Sequence, residues 1–90
     1  MAKIITRQQF EDVANSVLKG HHYVKSYTFV KGGVRMMVYS RSRKSTWQAT
    51  LYFCDDDGNY LDCCKVVEGA YQYANTASFV ADDITTALRR

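Results

Sequence analysis

The chain has 90 residues, 47% hydrophobic and 23% charged, with a formal net charge of +3. These are globular proportions, which exclude global disorder and suit one domain with a thin two-layer core. No apolar run approaches the ~20 residues of a membrane-spanning helix, and the opening "MAKIITRQQF" has neither the apolar stretch nor the cleavage pattern of a signal peptide.

The first predicted element is a helix from about Arg7 to Lys19. Thr6, followed three residues later by Gln9, forms a capping box, and Ile5 and Phe10 occupy the two positions of a hydrophobic staple. Phe10, Val13, Ala14, Val17 and Leu18 recur at helical spacing and make one apolar face. Gly20 is placed to end the helix in a left-handed conformation.

From His21 the period changes to two. "HHYVKSYTFV" and "VRMMVYSR" flank "KGG", and Gly32-Gly33 suits a two-residue type I′ turn. That turn pairs Val30 with Arg35, Phe29 with Met36 and Tyr27 with Val38. One face then carries Tyr27, Phe29, Val34, Met36 and Val38. The other carries Val24, Ser26, Thr28, Arg35, Met37, Tyr39 and Arg41. A slip of one residue would exchange the faces.

"RSRKST" is polar and reads as the next connection, which takes in Arg43 and Lys44. "WQATLYFC" is predicted as a third strand and "YLDCCKVV" as a fourth, joined through "DDDGN". Asp56, Asp57 and Gly58 suit a type I turn closed by a left-handed glycine. In that register Trp47, Leu51, Phe53, Leu61, Cys63 and Val67 share a face, with Lys65 a polar intruder. "AYQYAN" has no clear period. Asn75 or Thr76 caps a last helix, whose stripe is Ala77, Val80, Ala81, Ile84, Ala87 and Leu88. Arg89 and Arg90 stand at its C-terminal end, where the helix dipole favours cations.

The expected fold is α+β: one domain over residues 1–90, ordered α-β-β-β-β-α. Its four-stranded antiparallel meander carries both helices on one face and leaves the other open.

No residue pattern names a reaction. The acidic turn lacks the alternating ligands and closing glutamate of a calcium loop. Cys63 and Cys64 are adjacent, so a strand sends them to opposite faces, and neither they nor His21-His22 match a zinc spacing. No nucleophile elbow or phosphate-cradling loop is present. The expectation is a non-enzymatic protein with no cofactor and no metal. Three cysteines, an odd number, fit a reducing cytoplasm better than a secreted disulfide framework.

Charge is unevenly spread. Residues 1–50 hold nine Lys/Arg against two acidic residues, a net +7; residues 51–90 hold three against seven, a net −4. This gives two distinct surfaces, or an interleaved fold in which the fields cancel. The candidate binding residues are Arg35, Met37, Tyr39, Arg41, Arg43 and Lys44 on the basic strand and its turn, with Asp55, Asp56 and Asp57 on the acidic turn. Arginines between aromatics on a sheet can hold single-stranded nucleic acid, dock a protein, or simply be a solvated strand face.

The helix–strands–helix order is similar to that of double-stranded-RNA-binding domains. Their Gly-Pro-x-His loop is missing from a chain with no proline, and "TASFVADD" stands where their basic helix would start. Single-strand-binding coactivator and Whirly-type folds resemble it in topology alone. In size and style the chain resembles small phage and mobile-element proteins that inhibit host defence, anti-CRISPR proteins among them. That resemblance implies stoichiometric occlusion of a nucleic-acid-handling protein. The expected partner is therefore a protein, with single-stranded DNA or RNA as the alternative and no membrane. Met37 and Tyr39 on an open face also allow a homodimer.

Overall fold

A computed structural model describes residues 2–69 and 75–90; the "AYQYA" stretch lies outside them. The elements are β1 (Ile4–Ile5), α1 (Arg7–Leu18), β2 (Val24–Val30), β3 (Gly33–Tyr39), β4 (Thr46–Tyr52), β5 (Tyr60–Leu61), β6 (Val66–Glu68) and α2 (Thr76–Leu88). An antiparallel four-stranded sheet has the order β2-β3-β4-β6, and β1 pairs with β5 in a separate two-stranded sheet. No described helix is long and apolar enough to cross a membrane.

Helix α1 forms as its sequence dictates. The Thr6 hydroxyl accepts the Gln9 N–H at 3.0 Å, and the Gln9 side chain accepts the Thr6 N–H at 2.8 Å. Two N–H groups that the first turn would leave unpaired are thereby satisfied. Gly20 follows at φ 75°. Both helices cover one face of the sheet. Phe10, Ala14 and Leu18 of α1 and Ala77, Val80, Ala81 and Ile84 of α2 close on Val34, Met36, Val38, Ala49, Leu51 and Phe53. The Phe10 ring lies 4.8 Å from Phe53 and 5.4 Å from Tyr60, centroid to centroid. Each fully buried Val, Leu, Ile, Met or Phe side chain contributes roughly 1.5–3 kcal/mol. The Tyr27 phenol donates to Asn15 Oδ1 and ties β2 to α1.

The β2–β3 hairpin turns one residue earlier than predicted. Val30 pairs with Gly33, Phe29 with Val34, Thr28 with Arg35 and Tyr27 with Met36. The turn residues are therefore Lys31 and Gly32, of which only Gly32 has positive φ, at 86°. A type I′ turn needs both. Gly33 is drawn into the strand by a close backbone approach: a Cβ there would stand 1.8 Å from the Leu51 carbonyl oxygen. The register moves by an even step, so Tyr27, Phe29, Val34, Met36 and Val38 keep their shared face. Val24 does not keep its predicted face. The pairing shifts between Val24 and Ser26, which turns Val24 towards the core.

The fourth predicted strand is split. Leu61 pairs with Ile4 and Tyr60 with Ile5, whereas Val66, Val67 and Glu68 pair with Tyr52, Leu51 and Thr50. Asp62 marks the break. It is 6% exposed, its carboxylate accepts the Lys3 N–H at 2.9 Å, and its own N–H donates to the Lys3 carbonyl at 3.0 Å. A buried carboxylate must find donors, and the N-terminal segment supplies them. Beyond it, the Cys64 N–H donates to Thr85 Oγ1 on α2 at 3.2 Å, and the Lys65 N–H to the Tyr52 carbonyl at 2.8 Å. At α2, Asn75 holds the cap position without a side-chain bond, and Thr76 is buried as the first helical residue.

Candidate interaction surface

The face of the main sheet turned away from the helices carries Arg35, Met37 and Tyr39 from β3. Arg35 stands between Thr28 and Thr50, Met37 between Ser26 and Gln48, and Tyr39 pairs with Thr46. Alternation along a straight strand places all three on this side. Arg35 is exposed, and Met37 and Tyr39 are half-buried. Ser26, Thr28, Arg35, Met37 and Gln48 line a shallow depression in the surface. Hydroxyl, amide and guanidinium groups border the Met37 thioether there.

Arg41 sits elsewhere than alternation predicts. It was expected on this open face, but β3 ends at Tyr39 and alternation ends with it. The Ser40 N–H donates to the Ser45 carbonyl and the Arg43 N–H to the Ser40 carbonyl, each at 2.8 Å. The chain has turned, and the Arg41 guanidinium lies 5.7 Å from the ring centroid of Phe79, on α2. Arg43 occupies the turn as expected, at φ 61°, the one non-glycine residue with positive φ among those described. Its guanidinium lies 4.7 Å from the Tyr39 ring centroid, and Nη1 donates to His22 Nδ1 at 3.1 Å. Lys44 is exposed in the same turn.

Sequence reasoning gave no role to His21, His22, Tyr23 or Phe79, which complete this end of the molecule. The Tyr23 ring stacks on Phe79 at 6.1 Å, with His22 edge-on to it at 4.8 Å. His21 Nδ1 accepts the Tyr23 N–H at 3.1 Å, so its proton is on Nε2, which donates to Asp83 Oδ2 at 2.7 Å. The aromatic run "HHY" was the available signal, but its partner Phe79 is distant in sequence.

The acidic turn lies at the opposite end of the sheet. The Phe53 N–H donates to the Gly32 carbonyl at 2.9 Å, so residues 55–57 project beyond the β2–β3 turn. The length of a seven-residue strand, about 20 Å, separates this tip from Arg43. Asp55 caps the turn itself. Its Oδ1 accepts the N–H groups of Asn59 at 2.9 Å and Asp57 at 3.0 Å, and Gly58 sits at φ 85°. The Asn59 N–H bond, foremost, holds the Asp55 carboxyl below the ordinary carboxylate range. Asp56 and Asp57 are left exposed.

The cysteines form no common site. Cys64 donates from Sγ to the Val66 carbonyl at 3.4 Å, and burial pushes its thiol up to about 11. Cys54 packs against Gly32 at the acidic end. Among the described residues, no three His, Cys, Asp or Glu side chains converge as a metal site would require. A scan against protein-family models finds none that matches, and searches of curated proteins and of solved structures likewise find no match.

Proposed function

We propose that the protein is a small non-enzymatic binding module, an inhibitor or adaptor that docks on a larger, nucleic-acid-handling protein in the cytoplasm. The observation that carries this is the open sheet face, where Arg35, Met37 and Gln48 sit close together and neither described helix packs over them. A four-stranded sheet with one face packed and the other open presents a rigid platform. A half-buried methionine beside an arginine supplies the apolar and cationic contacts typical of protein interfaces. Anti-CRISPR-type inhibitors, which the chain resembles in size and style, act by occlusion of this kind.

The test is affinity capture with immobilised protein. Wild type is expected to retain a partner stoichiometrically, and Met37→Asp to lose it while melting within a few degrees of wild type. Retention unchanged in Met37→Asp contradicts the proposal.

A second reading, direct binding of single-stranded DNA or RNA, is favoured by the arginines themselves. Among the described residues Arg35, Arg41 and Arg43 are paired with no carboxylate. It requires oligonucleotide affinity that falls steeply with salt. An oligonucleotide that stays unbound at low salt removes it.

A further inference from the structure

Two arginines at the β3–β4 turn are held in an unusual state. Each guanidinium lies over an aromatic ring, Arg43 over Tyr39 and Arg41 over Phe79. A ring beneath a guanidinium restricts it without using its in-plane N–H donors; Arg43 commits Nη1 to His22 Nδ1 at 3.1 Å and keeps its other donors. Neither is neutralised: every ion pair among the described residues lies elsewhere, and the nearby Asp83 is engaged by His21. Arg43 also occupies a left-handed backbone position that costs a non-glycine residue roughly 1–2 kcal/mol. A glycine would relieve that cost and remove the stacked cation. Strain retained under a charged side chain points to a use for the side chain.

From this we infer that the β3–β4 turn is a carboxylate-binding site, with Arg41 and Arg43 as paired anchors for an acidic, Asp/Glu-rich segment of a partner protein. The two anchors flank the rim of the sheet. Tyr39 belongs to the open face and Phe79 to the helix that covers the other face, so a ligand that reaches both must cross the rim. A chain with successive carboxylates does this, and a lone anion does not. Planar guanidinium and carboxylate meet through two parallel hydrogen bonds, and a stacked arginine has already lost most of the freedom such a pair would cost. Single-stranded nucleic acid is the poorer fit. Its bases need free rings to stack on, and the rings of Tyr39 and Phe79 are already faced by arginine. The inference rests on the protein-binding reading and names the chemistry of the partner.

The test is an NMR titration that follows the arginine Nε–H signals of Arg41 and Arg43. The probes are an oligo-glutamate peptide and, separately, a dT oligonucleotide of matched charge. The peptide is expected to shift both arginine signals, more tightly than the oligonucleotide. Arg43→Gln is expected to weaken peptide binding about fivefold, the scale of one exposed charge pair, with the fold intact. Tyr39→Leu is expected to weaken it in the same direction, because the platform is lost while the charge stays. Static arginine signals, or tighter binding of the oligonucleotide, overturn the inference. Static signals together with Met37-dependent partner capture would end the carboxylate site and leave the binding module standing. Loss of Met37 dependence would end the broader proposal instead.

Discussion

Asp62 is where one side chain decides a topology. Its carboxylate is lowered from the ordinary range first by the Lys3 N–H bond and then by Arg89, whose Nη2 lies 3.6 Å away. A carboxyl whose folded-state pKa is depressed stabilises the fold fully above the unfolded value. That contribution is lost as pH falls through the depressed one. Stability is therefore expected to decline from about pH 4 downward, near and below the ordinary aspartate value. Asp62→Asn should flatten that acid limb and lower stability at pH 7, as read by circular dichroism across a pH series. An acid limb unchanged in Asp62→Asn would show that Asp62 does not hold the N-terminal strand. At Cys64, a thiol pKa of about 11 leaves on the order of a thousandth as thiolate at pH 8. Cys64 should be the last of the three thiols to react with iodoacetamide, as followed by mass spectrometry. Early labelling of Cys64 would contradict the burial that raises its thiol. At the cap, Thr6→Ala should cost about 1 kcal/mol in chemical denaturation.

Among the elements, α1 was legible because a capping box is a local signal, and it forms. The alternation of β2 and β3 was legible for the same reason. Their turn was not. The sequence offers Gly32-Gly33, and the choice between them depends on the approach of Gly33 to Leu51, which is a tertiary fact. The consequence is measurable. A Cβ at Gly33 meets the Leu51 carbonyl oxygen, whereas one at Gly58 meets nothing within 4 Å. Gly33→Ala should destabilise by about 2–3 kcal/mol through overpacking, and Gly58→Ala by about 1 kcal/mol through its left-handed φ alone. Equal losses in urea denaturation would contradict the assigned register. The split of "YLDCCKVV" was hidden because the partner of Tyr60–Leu61 is Ile4–Ile5, a pair too short to announce a strand. In the candidate surface, Arg35, Met37 and Tyr39 followed from alternation. Arg41 did not, because alternation stops where the chain turns.

Across the whole molecule, the two charge-biased halves partly interleave and partly stay apart. Helix α2, from the acidic half, packs over the basic half and sets Asp83 beside His21. Arg7 and Lys31 share a surface hollow with Gly58 near the acidic tip. Even so, Arg41, Arg43 and Lys44 gather at one end of the sheet, and Asp56 and Asp57 at the other. The open face between them is the surface on which the functional account depends. Site-specific photocrosslinking tests that face most directly. A crosslinker at Gln48, on the open face, is compared with one at Ser16, on the exposed side of α1. The account predicts an adduct to one partner protein from position 48 and none from position 16. Adducts from both positions alike, from neither, or only between two copies of this chain would contradict it.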